Sequence, residues 1–314
     1  MSLIQLWNKL YESLINWLKS VTIPGFRGRS LYHVGRFFFD SLFDEDIMLR
    51  ASSLAFNFFV ALFPAFIFIF TLIAYIPIEN FQEDLLLHIE RLLPTNAYEV
   101  LLETIQDILN NQNLSLLSFG FVLAIYFSSN AFSSMLTAFN KYIETNEKRS
   151  WYSARWRSIW LTTLVTMIIL TIVLILAYVD ITIGWLTNKD LLNNTLNEWL
   201  LLGFQYLSLF LLIYFVFASL YFFGSAKQAE WSFFSPGSTL ATILALITTS
   251  GFVFYVNNFN SYNKLYGSIG TILALMILIY FNCIVLLVGF ELNSSIDKAG
   301  ELIKSNKPTE ENQV

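Results

Sequence analysis

The sequence predicts an all-α polytopic membrane protein: six transmembrane helices, a short amphipathic N-terminal helix and a small outer helical loop region. Three observations predict it. Of 314 residues, 56% are hydrophobic and only 13% charged, about half the charged share of an ordinary soluble domain, and the mean hydropathy is +0.58. The apolar residues gather in runs that can cross a hydrocarbon core of about 30 Å at about 1.5 Å per residue. The basic residues are sorted between the two sides of those runs.

Residues 1–48 form a cytoplasmic N-terminal region. In MSLIQLWNKLYESLINWLKS, Leu3, Leu6, Trp7, Leu10, Leu14, Trp17 and Leu18 recur at helical spacing. No continuous apolar stretch or cleavage site marks a signal peptide. Two placements stay open: packed on the rest of the chain, or lying in the membrane interface.

The transmembrane domain spans 49–292, with apolar runs at about 49–76, 114–140, 158–180, 199–223, 238–257 and 267–292. A spanning segment must satisfy its own backbone hydrogen bonds, so these runs are helices. A β-barrel would show segments of about ten alternating residues. The first run holds Pro64, which cannot donate to the Val60 carbonyl and predicts a kink. The outer loop 78–113 reads as two short helices, FQEDLLLHIERLL up to Pro94 and another over 98–109, capped by Thr95 or Asn96. Another short helix is expected near Leu191. Gly267 and Gly270 in YGSIG open the last helix, for a tight turn or close packing. Residues 293–314 form a cytoplasmic tail, disordered over SNKPTEENQV.

Six crossings put both termini on one side. That side carries fifteen of the eighteen Lys and Arg; the opposite loops hold only Arg91, Lys189 and Lys264. Positive residues flank the cytoplasmic side, so both termini are expected there.

Several function classes lack their residues. Cys283 is the single cysteine, so neither an intrachain disulfide nor a multi-cysteine zinc site can form. His33 and His88 fall on opposite sides of this topology. No Walker A loop, dinucleotide fingerprint, HExxH or GxSxG is present. The basic residues are scattered flanks, not a nucleic-acid groove. The pattern therefore assigns no enzyme activity, catalytic residue, metal or cofactor. The partners expected are membrane lipids and a small solute, with no nucleic acid; nothing in the pattern sets an oligomeric state.

The candidate residues are polar groups inside apolar runs. Asn57, Pro64, Ser129, Asn130, Ser133, Gln205 and Asn282 either line a polar path or pack helices. A primary amide in lipid is costly unless hydrogen-bonded, and small residues let helices approach. Glu291 ends the last run beside a boundary shared with Arg50; the pair reads as an inner-end ion pair, either a structural lock or a gate. A transport protein for a small polar or lipidic solute predicts a wet polar pocket between the first, second and last helices. A non-transporting envelope-organising or partner-binding protein predicts a well-packed core and an exposed patch on 78–113.

Two stretches carry a family likeness. RASSLAFNFFVALFPAFIFI (50–69) and YGSIGTILALMILIYFNCIVLLVGFELNSSI (266–296) resemble the signatures of the YihY/BrkB family of bacterial inner-membrane proteins. WYSARWRSIW resembles it more loosely, and order and spacing agree over about 30–297. The resemblance implies six helices, a bacterial cytoplasmic membrane and cytoplasmic termini. It also implies a link to serum resistance in one branch, and an old ribonuclease BN label regarded as mistaken. Ser52, Ser53 and Asn57 depart from the residues frequent in relatives.

Overall fold

The computed structural model describes residues 3–43, 46–73, 75, 102, 106–107, 113–140, 151–188, 194–225, 232–258 and 261–305. They form eight helices: α1 Leu3–Ser20, α2 Leu31–Leu42, α3 Asp46–Ile73, α4 Leu114–Asn140, α5 Trp151–Asn188, α6 Asn194–Gly224, α7 Pro236–Asn258 and α8 Ser261–Ser305. Five of them are long and apolar enough to cross a membrane: Asp46–Leu72, Leu114–Asn140, Tyr206–Gly224, Pro236–Val256 and Ile272–Leu302. The fold is thus all-α and polytopic.

Helices α3 to α8 form a ring. Each packs on its neighbour in sequence, and α8 closes the ring on α3. Neighbours run antiparallel, so one end of the ring gathers the starts of α3, α5 and α7 and the ends of α4, α6 and α8. Helix α2 packs on α8 at this end, where Phe26 and Val34 are buried with Ile296 and Ala299. We call it the α2 end. Ser30 caps α2, its Oγ accepting the His33 N–H, which satisfies one of the orphan donors of the first turn.

Several expected boundaries are corrected. Helix α5 starts at Trp151 and reaches Asn188, not 158–180. Helix α8 is 45 residues long and continues beyond the last apolar run, through the first part of the tail, to Ser305. Charge limits the crossing of lipid but does not end a helix, and here α2 buries the extension. Gly267 and Gly270 lie inside α8, which excludes a turn there. Pro64 is buried within α3, and the helix continues to Ile73. The two helices expected in 78–113, apart from isolated residues, the short helix near Leu191 and the end of the tail lie outside the described residues.

Candidate functional site

Packing converges at the α2 end. Arg50, in the second turn of α3, and Glu291 on α8 are 7% and 2% exposed. Arg50 Nη2 lies 2.9 Å from Glu291 Oε1, and its Nη1 donates to the Ala138 carbonyl of α4 at 3.0 Å. One guanidinium therefore ties three helices together. Charge-assisted bonds of this kind are the strong ones, and burial makes the pair costly to break from one side.

An aromatic layer packs among the same elements. Phe139 of α4 and Phe290 of α8 stack with centroids 4.1 Å apart. Tyr221 of α6 meets both edge-on, and its hydroxyl donates to the Leu286 carbonyl at 2.8 Å.

The stretch Gly289–Glu291–Asn293 explains how α8 reaches both neighbours. At about 100° per residue, Gly289 and Asn293 share a face while Glu291 points nearly opposite. On the first face, a Cβ at Gly289 would collide with the Tyr221 hydroxyl and lie 2.7 Å from the Gly237 carbonyl. Only glycine allows that approach. Asn293 Oδ1 accepts the Gly237 N–H at 2.9 Å, and its Nδ2 donates to Ser235 Oγ at 2.9 Å. Ser235 in turn accepts the Ser238 N–H. The start of α7 is thus capped by its own serine and by a side chain of α8. On the opposite face Glu291 meets α3.

Arg50 and Glu291 are in contact. Asn130 Nδ2 donates to Asn57 Oδ1 at 3.1 Å, joining α4 to α3, and Asn57 Nδ2 bonds the Ser53 carbonyl of its own helix. Asn282 bonds the Leu278 carbonyl in α8 and makes no link to that pair. Ser129 is buried and donates to the Tyr126 carbonyl. The Ser133 carbonyl accepts from Thr137. The Gln205 side chain lies outside the described residues. Of the described amides, Asn57 and Asn130 thus join α3 to α4, while Asn282 stays within α8.

Sequence reasoning missed Tyr221, Ser235, Gly237 and the role of Asn293. Ser-Pro-Gly before an apolar run is a helix-start signal that could have found two of them. Tyr221 carried no such signal.

The far end of the ring differs. On α8, Ile272, Leu273, Leu275 and Ile277 are 37–49% exposed. They point in directions spread over more than half of the helix circumference. Between the two ends, an apolar groove runs along α5 and α6 from the α2 side to mid-helix, lined by residues including Trp160, Leu164, Met167, Thr171 and Phe215. Among the described residues, no group of three or more His, Cys, Asp or Glu could hold a metal.

A helical ring with a buried ion pair at one end and five helices long and apolar enough to cross a membrane is an integral membrane protein of the polytopic kind. The family model described as Virulence factor BrkB matches residues 38–313, and this chain belongs to that family, the YihY/BrkB (UPF0761) family. It is 34% identical over 262 residues to the Bacillus subtilis (strain 168) protein named ribonuclease-like protein YfkH, covering 82% of this chain and 92% of that one. A UPF0761 membrane protein of Haemophilus influenzae (strain 86-028NP) is 33% identical over 110 residues, 34% of this chain and 41% of its own. A Vibrio campbellii UPF0761 membrane protein is 31% identical over 86 residues, 27% of each chain. No solved structure matches.

Proposed function

We propose that this protein is a six-span transporter of the bacterial inner membrane that moves a lipidic or other amphiphilic solute, with the α2 end cytoplasmic and shut. Helix α5, 38 residues long and seated in the ring between α4 and α6, supplies the sixth crossing. The charge asymmetry of the loops supports cytoplasmic termini. One observation carries the reading: the ring is sealed at one end while α8 is bare on several sides toward the other. A helix that closes a ring should hide one flank along its length. Leaving that flank open favours a wall that can move over a body cemented at one end. The apolar groove along α5 and α6 favours an acyl-bearing solute over a small polar one. Arg50 and Glu291 serve as the inner lock, which opening must break.

The test is a flip assay on purified protein in vesicles, with fluorescent phosphatidylglycerol and phosphatidylethanolamine analogues and a panel of small polar solutes. Wild type should exchange an analogue faster than protein-free vesicles. Glu291→Gln should change that rate while the protein stays folded. Flat traces for every probe would remove the reading.

The Asn57–Asn130 bond favours a second reading, a non-transporting protein that organises the envelope or binds a partner. It predicts those flat traces, together with stable crosslinks through residues 78–113.

A further inference from the structure

Beyond the inner lock, the α1–α2 loop meets the start of α7 and the late turns of α8. Arg27 Nη1 and Arg29 Nη1 each lie 3.5 Å from the same oxygen, Asp297 Oδ1. Two guanidinium groups on one carboxylate oxygen leave positive charge in excess. Both contacts are long for charge-assisted bonds, whose usual range ends near about 2.9 Å, so neither guanidinium is well satisfied.

The surroundings are built rather than incidental. Arg29 lies against Gly300, where any Cβ would collide with its guanidinium. Gly25 has φ +91° and lets the loop close on Pro236; a Cβ there would be 2.8 Å from the proline Cγ. This fixes a cavity of about 230 Å³ lined by residues including Arg27, Ser232, Ser235, Asn293 and Asp297. Arg27 is 37% exposed at its edge, whereas Asp297 is 7% exposed. The Gly237 and Ser238 N–H groups at the start of α7 are already taken. An incoming anion would therefore meet Arg27, the Ser232 hydroxyl and the second Asn293 Nδ2 hydrogen, with the positive end of the α7 dipole behind them.

Position narrows the ligand. Pro236 begins both α7 and its candidate span, so the cavity sits where hydrocarbon gives way to headgroups. Phe234 stands exposed beside it. We propose that this cavity binds one phosphate-type anion, the chemistry shared by an anionic phospholipid headgroup and free phosphate, with Arg27 turning from Asp297 onto it.

The full-length protein in nanodiscs of mixed phosphatidylglycerol and phosphatidylcholine, released into native mass spectrometry, gives the lipid arm. Calorimetric titration of the detergent-solubilised protein with inorganic phosphate gives the free-anion arm. Wild type should enrich phosphatidylglycerol, or bind phosphate where the free anion is the ligand. Arg27→Gln should weaken binding about tenfold, as for one lost charge-assisted bond. Ser232→Asp, at an exposed position, should abolish it by like-charge repulsion. Asp297→Asn removes the competing anion and should strengthen it. A purely internal salt bridge predicts the opposite sign at Asp297. No binding of either probe to wild type, Asp297→Asn weakening as much as Arg27→Gln, or full binding by Ser232→Asp would each overturn the proposal.

Discussion

Two stretches of α8 behave differently. From Cys283 to Gly300 most side chains are buried, and three polar groups there each hold a different element: Glu291 binds α3, Asn293 binds α7 and Asp297 binds the α1–α2 loop. From Ile272 to Phe281 none of the described side chains is buried. Apolar character alone therefore does not decide packing in a membrane, because lipid accepts an exposed leucine as readily as a neighbouring helix does. Close approach and polar pairing decide it, and on α8 those are concentrated at the α2 end.

The largest effect should come from breaking the lock on one side. Glu291→Leu leaves the Arg50 charge buried, which typically costs about 3–5 kcal/mol. The double variant Arg50→Met, Glu291→Leu should regain most of it. Melting in detergent checks both, and a single-variant shift no larger than that of Ile277→Ala would dissolve the contrast between the ends.

Next come the glycines. Gly289→Ala would overlap Tyr221, Ala241 and the Gly237 carbonyl, and overpacking of this kind costs about 1–3 kcal/mol. Gly251, toward the far end of α7, has open space around it, so Gly251→Ala should be neutral or stabilise by up to about 1 kcal/mol. Opposite signs in the same melting experiment would sharpen the comparison; equal signs would break it.

Asn130→Leu removes the amide bond between α3 and α4 and should cost about 0.6 kcal/mol, at most about 1.7. Measured beside the flip assay, it separates two roles: a folded variant that no longer moves lipid gives Asn130 a part in transport, whereas a small melting shift with transport intact leaves it as glue.

The smallest expected effect is none. Cys283 is the only cysteine and is buried. A membrane-permeant maleimide should leave the native protein unlabelled until the α2 end unfolds. Rapid labelling at equilibrium would show that this end opens.

By itself, the sequence determined the all-α membrane class, where most ring helices run and the choice of Arg50 and Glu291. Length, hydropathy and isolated charges in apolar runs are local properties, readable without knowing what lies alongside. It could not determine where α8 stops, because its polar last turns are covered by an element far away in the chain, α2. Nor could it decide between a polar path and helix packing for Asn57 and Asn130, since either role calls for the same amide in the same apolar run. Only the tertiary structure settled their bond, the cap that Asn293 places on α7 and the two arginines on Asp297, because each joins residues far apart in the chain.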